Sequence, residues 1–91
     1  MNAIRRCLPI VNVKGLHARA SARFVETVEA HEAAAWVSRE DQTVRGDSIM
    51  GLLMLAAAQG SEIEVSCDGP EAKQLMAALE ALLADRFGEE A

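Results

Sequence analysis

Gly15-Leu16-His17-Ala18-Arg19 is the stretch of this chain best equipped for chemistry. Imidazole can serve as a nucleophile near neutral pH whenever one ring nitrogen is unprotonated. Gly15 can take a positive φ and turn the chain sharply into the histidine. From Ala18 onward the residues are good helix formers, with Phe24, Val25 and Val28 at helical spacing. His17 is therefore predicted at or beside a helix N-terminus. Unpaired backbone N–H groups and the positive end of the dipole there form a ready anion site. The N–H groups of Ala18 and Arg19 would face that anion, and Arg19 adds a guanidinium. An imidazole beside an anion site points to a histidine that carries a phosphoryl group. Such transfer asks for positioning and charge more than for covalent help. No partner base stands near His17 in the sequence, so a shuttle is expected rather than an independent enzyme.

A second stretch, Asp47-Ser48-Ile49-Met50-Gly51-Leu52-Leu53-Met54-Leu55, is built differently. The Ser48 hydroxyl can cap a helix by accepting an orphan N–H, and Asp47 competes for that role one residue earlier. The helix predicted over Ser48 to Ala57 is apolar all round, and a short helix in a small domain cannot bury every face. With Leu52 and Leu55 inward, Ile49, Met50 and Leu53 are the expected exposed set. Together with Ala22 and Arg23 on the first helix they would form a docking surface. Burial of all of them is the competing reading from periodicity alone.

The elements that must position these residues follow from the remaining pattern. Ile4 to Ile10 reads as a strand with Ile4, Leu8 and Ile10 on one face, and Pro9 suits an edge. The first helix spans Ala18 to Glu29, with Glu26 and Glu29 outward. His31 lacks the context of His17 and reads as a surface residue. Ala33 to Arg39 and Gln42 to Gly46 form a hairpin about Glu40-Asp41, with Ala35 and Val37 inward and Trp36 packing across strands on the open face. Ser61 to Cys67 is a strand with Ile63 and Val65 inward. Pro70 is expected in the first turn of a last helix whose apolar face is Leu75, Leu79, Leu82 and Leu83. The order β-α-β-β-α-β-α predicts a two-layer α+β sandwich.

Ninety-one residues, half of them hydrophobic, suffice for one domain with a modest, mostly aliphatic core. The acidic ending Gly88-Glu89-Glu90-Ala91 is expected to be a frayed, solvated tail. Cys7 and Cys67 form no metal or CxxC motif, and are expected as small apolar strand residues in a reducing, cytoplasmic setting. The pattern predicts no metal and no cofactor. The net charge of −5 argues against nucleic acid, and no long apolar run predicts a signal peptide or membrane span.

The first block resembles the active-site signature of the HPr family, the histidine phosphocarriers of the bacterial phosphoenolpyruvate-dependent phosphotransferase system. The second resembles that family's regulatory-serine helix. The likeness runs from about Ile4 to Phe87. It implies an open-faced sandwich, with an antiparallel sheet of order 1-4-2-3 covered on one face by three helices. It further implies phosphorylation of His17 on Nδ1 by enzyme I, charge stabilisation by Arg19, and transfer to a histidine of an enzyme IIA protein, the carrier acting as a monomer. Ser48 would be a site for a serine kinase, which gives the alternative of a regulatory binding module. Ala20 stands where the family usually has proline. Glu26, Glu29 and Asp47 stand where sugar-transport members often carry lysines. Those acids do not fit a docking face built for the acidic partners of sugar transport. The stretch Leu52-Leu53-Met54-Leu55, with Gln59-Gly60, Glu62-Ile63-Glu64-Val65 and Gly69-Pro70, looks closer to NPr, the form of the nitrogen-related branch; the sugar branch is the alternative.

Overall fold

The computed structural model describes residues 3–91. Its elements follow the predicted order: β1 (Ile4–Pro9), α1 (Ala18–Glu29), β2 (Ala34–Arg39), β3 (Gln42–Arg45), α2 (Ile49–Met54), β4 (Glu62–Asp68) and α3 (Ala72–Ala84). A short 3-10 turn, Arg86–Gly88, comes after α3. The four strands are antiparallel in the order β1-β4-β2-β3, so the long crossovers through α1 and α2 place β4 between β1 and β2. Pro9 closes an edge strand, where its missing N–H leaves no ladder bond unmade.

The register explains the core. Leu8 lies opposite Ile63, Val37 opposite Val65, and Ala35 opposite Cys67, so one face of the sheet is continuously apolar. Phe24 and Val28 of α1, Leu52 of α2, and Leu75, Leu79 and Leu83 of α3 are buried against it. Trp36 lies half-buried on the other face, where the guanidinium of its cross-strand partner Arg45 is 5.4 Å from the ring centroid. It is a cross-strand packing residue.

Several local expectations need correction. The second helix stops at Met54 rather than Ala57, because Leu55 is its C-cap and Ala56 takes a left-handed φ of 51°. That reversal lets the Ala57 carbonyl accept the Leu16 N–H at 2.9 Å, so the early stop builds the His17 loop. Pro70 precedes the last helix instead of lying in its first turn. Glu71 is the N-cap residue, and its carboxylate is engaged by the Glu32 N–H at 2.6 Å. Cys7 is exposed on the open face of β1, whereas Cys67 is buried as expected. Leu53 is half-buried rather than exposed, and Met54 takes its place on the surface. The tail does not fray at Gly88: Phe87 is fully buried, and Glu89 is folded back onto α1.

Candidate functional site

His17 is the N-cap of α1, with extended backbone (φ −79°, ψ −175°). Its carbonyl accepts the first helical bond, from Ser21 N at 2.8 Å. Its ring does the work usually left to serine or aspartate: Nδ1 accepts the Arg19 N–H at 3.2 Å. The chain reaches this point through Gly15, at φ 68°. A side chain there would bring its Cβ to 2.6 Å from the Ala57 carbonyl oxygen, so glycine is required both for conformation and for space. Leu16 is buried beneath the loop and fixes the direction from which the ring emerges.

The half-buried ring opens onto a depression of about 510 Å³ lined by Val13, Lys14, His17, Ala18, Arg19 and residues 89–91. Ala18 and Arg19 are exposed, and their N–H groups belong to the first helical turn, which lacks intrahelical partners. Among the described residues, the Arg19 guanidinium makes no ion pair. Two exposed cations, Lys14 and Arg19, thus stand with Glu89 and Glu90 around the nucleophile beside a helix N-terminus. This arrangement can receive a phosphoryl group and spread its charge.

Arg23, expected on the docking surface, is engaged within the chain. Its Nη1 donates to the Phe87 carbonyl at 2.7 Å, fastening the C-terminal segment to α1. Ala22 is half-buried and shares a shallow surface depression with Arg19, Arg23, Glu26, Thr27 and Leu82. His31 turns back on its own helix, with Nδ1 at 2.8 Å from the Thr27 carbonyl oxygen, and it takes no part in the site.

Ser48 caps α2: its Oγ accepts the Gly51 N–H at 3.0 Å. Asp47 does not compete for the cap, since its carboxylate faces Arg45 at 3.2 Å. Beyond Ser48 the exposed apolar residues are Ile49 (39%), Met50 (68%) and Met54 (64%), so the patch exists with Met54 in place of Leu53. Val11 and Val13, exposed before the His17 loop, add to the apolar surface of the chain. No group of three metal-ligating side chains occurs among the described residues.

Glu89 and Asn12 are the site residues that sequence reasoning missed. One Glu89 oxygen accepts from Asn12 Nδ2 at 2.9 Å, and the other meets His17 Nε2. Partial burial works to raise the Glu89 carboxyl. The hydrogen bonds from Asn12 and His17, with the nearby charges of His17 and Lys14, outweigh it and hold the carboxyl below its ordinary range. A signal was available in Phe87, an aromatic placed just after the last helix: anchoring it in the core also anchors the residues beyond it.

Residues 4–85 match the model of the PTS HPr component phosphorylation site family. The phosphocarrier protein HPr of Neisseria meningitidis is 44% identical over 86 residues, covering 94% of this chain and 97% of that protein. The phosphocarrier protein NPr of Escherichia coli is 31% identical over 88 residues, covering 96% and 98%. A crystal structure of HPr from Thermoanaerobacter tengcongensis superposes with a TM-score of 0.90 at 34% identity, covering the whole of both chains.

Proposed function

Since the chain belongs to the HPr family of phosphotransferase-system phosphocarriers, we propose that His17 is its phosphoryl acceptor. In this reading enzyme I, charged by phosphoenolpyruvate, donates to Nδ1, and the group then passes to a histidine of an enzyme IIA protein. Arg19 and the first-turn N–H groups of Ala18 and Arg19 balance the phosphoryl charge in both directions. In this reading the carrier works as a monomer, which is supported by a single copy of the chain supplying every group invoked. The observation that carries the proposal is His17 at the N-cap of α1, its Nδ1 turned toward the Arg19 N–H. Members of this family relay phosphoryl groups and are not catalysts in their own right. Among the described residues, no helix is long and apolar enough to cross a membrane.

The test is incubation with phosphoenolpyruvate and enzyme I, followed by intact-mass measurement. One acid-labile phosphoryl group is expected on the native chain and none on His17→Ala. A His17→Ala chain that still becomes phosphorylated would falsify the assignment.

Within that role, the nitrogen-related branch is the finer reading. It is supported by the exposed acids Glu26, Glu29 and Asp47, which oppose a lysine-rich docking face. A carrier of the sugar-transport branch is the second reading, favoured by the higher identity to the relative named HPr (44%) than to the one named NPr (31%). Transfer rates from the phosphorylated chain to nitrogen-type and sugar-type enzyme IIA proteins decide between them. Phosphorylation of Ser48 by a serine kinase would add a regulatory layer at the edge of the apolar patch. The alternative of a purely regulatory module leaves His17 and Arg19 without a task.

A further inference from the structure

The C-terminal segment is fastened at three points before it reaches the site. Phe87 is fully buried, Arg23 holds its carbonyl, and the N–H groups of Gly88 and Glu89 donate to Asp85 and Arg86 carbonyls, each at 2.9 Å. Arg86 and Phe87 both take left-handed φ values of 55°, a conformation disfavoured for residues with a Cβ. The chain accepts that cost and, in return, turns Glu89 toward His17. Asn12 completes the fastening. Its buried amide has a fixed orientation, because Nδ2 donates to the Gly15 carbonyl at 2.8 Å as well as to Glu89.

The two neighbours of the imidazole make opposite demands on it. The Arg19 N–H can only donate, so Nδ1 must offer a lone pair. An ionised Glu89 carboxylate can only accept, so Nε2 must carry the proton. Both demands are met by a single tautomer, whose unprotonated nitrogen is Nδ1, at the α1 N-terminus. From this geometry we infer that Glu89 is a positioning residue, which holds His17 in the Nε2–H tautomer and presents Nδ1 to the incoming phosphoryl group. The inference rests on the carrier reading above.

The contact also gains strength during the reaction. The Nδ1 lone pair forms the N–P bond as the bond from phosphorus to the donor's leaving atom breaks, its electron pair staying with that atom. The Nε2 proton remains in place, and the ring acquires positive charge shared between its two nitrogens. The Glu89 carboxylate then faces a cationic ring instead of a neutral one, an interaction stronger in the transition state than before it. When the group moves on, the Nδ1–P electron pair returns to Nδ1 and the starting tautomer is restored.

Glu89→Gln tests this without disturbing the Phe87 anchor. Asn12 Nδ2 would still claim the amide oxygen, turning the amide –NH₂ toward Nε2, which must then supply a lone pair. Nitrogen-15 NMR of the imidazole reads the tautomer directly, with His31→Asn used to assign the two rings. The expected result is a pyrrole-like Nε2 in the native chain, a shift toward the Nδ1–H form in Glu89→Gln, and a fall of about tenfold in the initial phosphorylation rate. An unchanged tautomer overturns the inference whatever the rate does. A shifted tautomer with the native rate overturns it as well. A native chain that accepts no phosphoryl group overturns the carrier reading itself, a failure recognisable because it appears before any substitution is made.

Discussion

At the scale of single residues, what decides a role is which atoms face a side chain. His17 and His31 are the same chemical group, yet only His17 caps a helix and opens onto a depression that Lys14 and Arg19 share with Glu89 and Glu90. That difference was legible in the sequence, because glycine before a histidine and good helix formers after it dictate an N-terminus. The two cysteines were not separable in this way, since strand periodicity places both in strands and leaves the inward face to the register. The structure buries Cys67 and exposes Cys7, and burial pushes the Cys67 thiol up to about 11 from its ordinary 9.0. The unfolded thiol therefore releases its proton at lower pH than the folded one. Stability contributed by keeping Cys67 neutral is complete below about pH 9 and falls as pH rises toward 11. The loss should reach about 2 kcal/mol near the top of that window, measured by denaturant melts, and Cys67→Ala should flatten this part of the profile. Alkylation checks the same difference: iodoacetamide should label Cys7 in the native protein and Cys67 only in denaturant.

At the scale of elements, α2 shows how one short helix divides its faces. Leu52 is fully buried, Leu53 is half-buried, and Met50 and Met54 are on the surface. Met54 stands four residues after Met50 and so shares its exposed stripe, while Leu53 turns partly inward. Periodicity could not locate the stop, since nothing in Ala56-Ala57 looks like a breaker; the pull of Ala57 toward Leu16 is a tertiary effect. Met50→Glu and Met54→Glu are expected to slow transfer from enzyme I while leaving the melting temperature within a few degrees of native. Leu53→Glu should lower it more clearly, because a half-buried leucine gives up packing. Ser48 is tested separately. Ser48→Ala removes the Gly51 N–H acceptor and should cost about 1 kcal/mol with near-normal transfer. Ser48→Asp keeps a capping oxygen and adds negative charge beside the apolar patch, where docking must desolvate it. Its stability should hold while its initial phosphorylation rate falls, with Asp47 blunting the difference. Equal rates for Ser48→Asp and native protein would leave Ser48 a cap alone.

At the scale of the whole molecule, parts of the chain far apart in sequence meet at the site: the β1–α1 loop supplies Asn12 and His17, and the last five residues supply Glu89. The strand and helix order was readable from alternating patterns, and the resemblance supplied the sheet order. This long-range closure was not readable, because an acidic, glycine-containing ending looks like solvent-exposed chain in any local window. Only the burial of Phe87, and the approach of Arg23 to its carbonyl, turn that ending into part of the structure. A Cβ at Gly88 would press against the same guanidinium and push it aside, and the φ of 79° there strains any residue that carries a Cβ. Phe87→Ala should therefore do two things at once. Losing a fully buried aromatic should cost about 3–4 kcal/mol of stability, read from denaturant melts. It should also release Glu89, and with it the stability tied to that carboxylate's low proton affinity. In the native protein this contribution is present above the ordinary Glu value of 4.5 and is lost as pH falls through the lower folded value. The acid limb of the stability–pH curve should thus be shallower in Phe87→Ala than in the native chain. Glu89→Gln should flatten the same limb while keeping most of the native stability at neutral pH. If Phe87→Ala lowers stability but leaves the acid limb unchanged, the aromatic anchor and the carboxylate contact are independent, and the ending is held at the site by Arg23 and Asn12 without it.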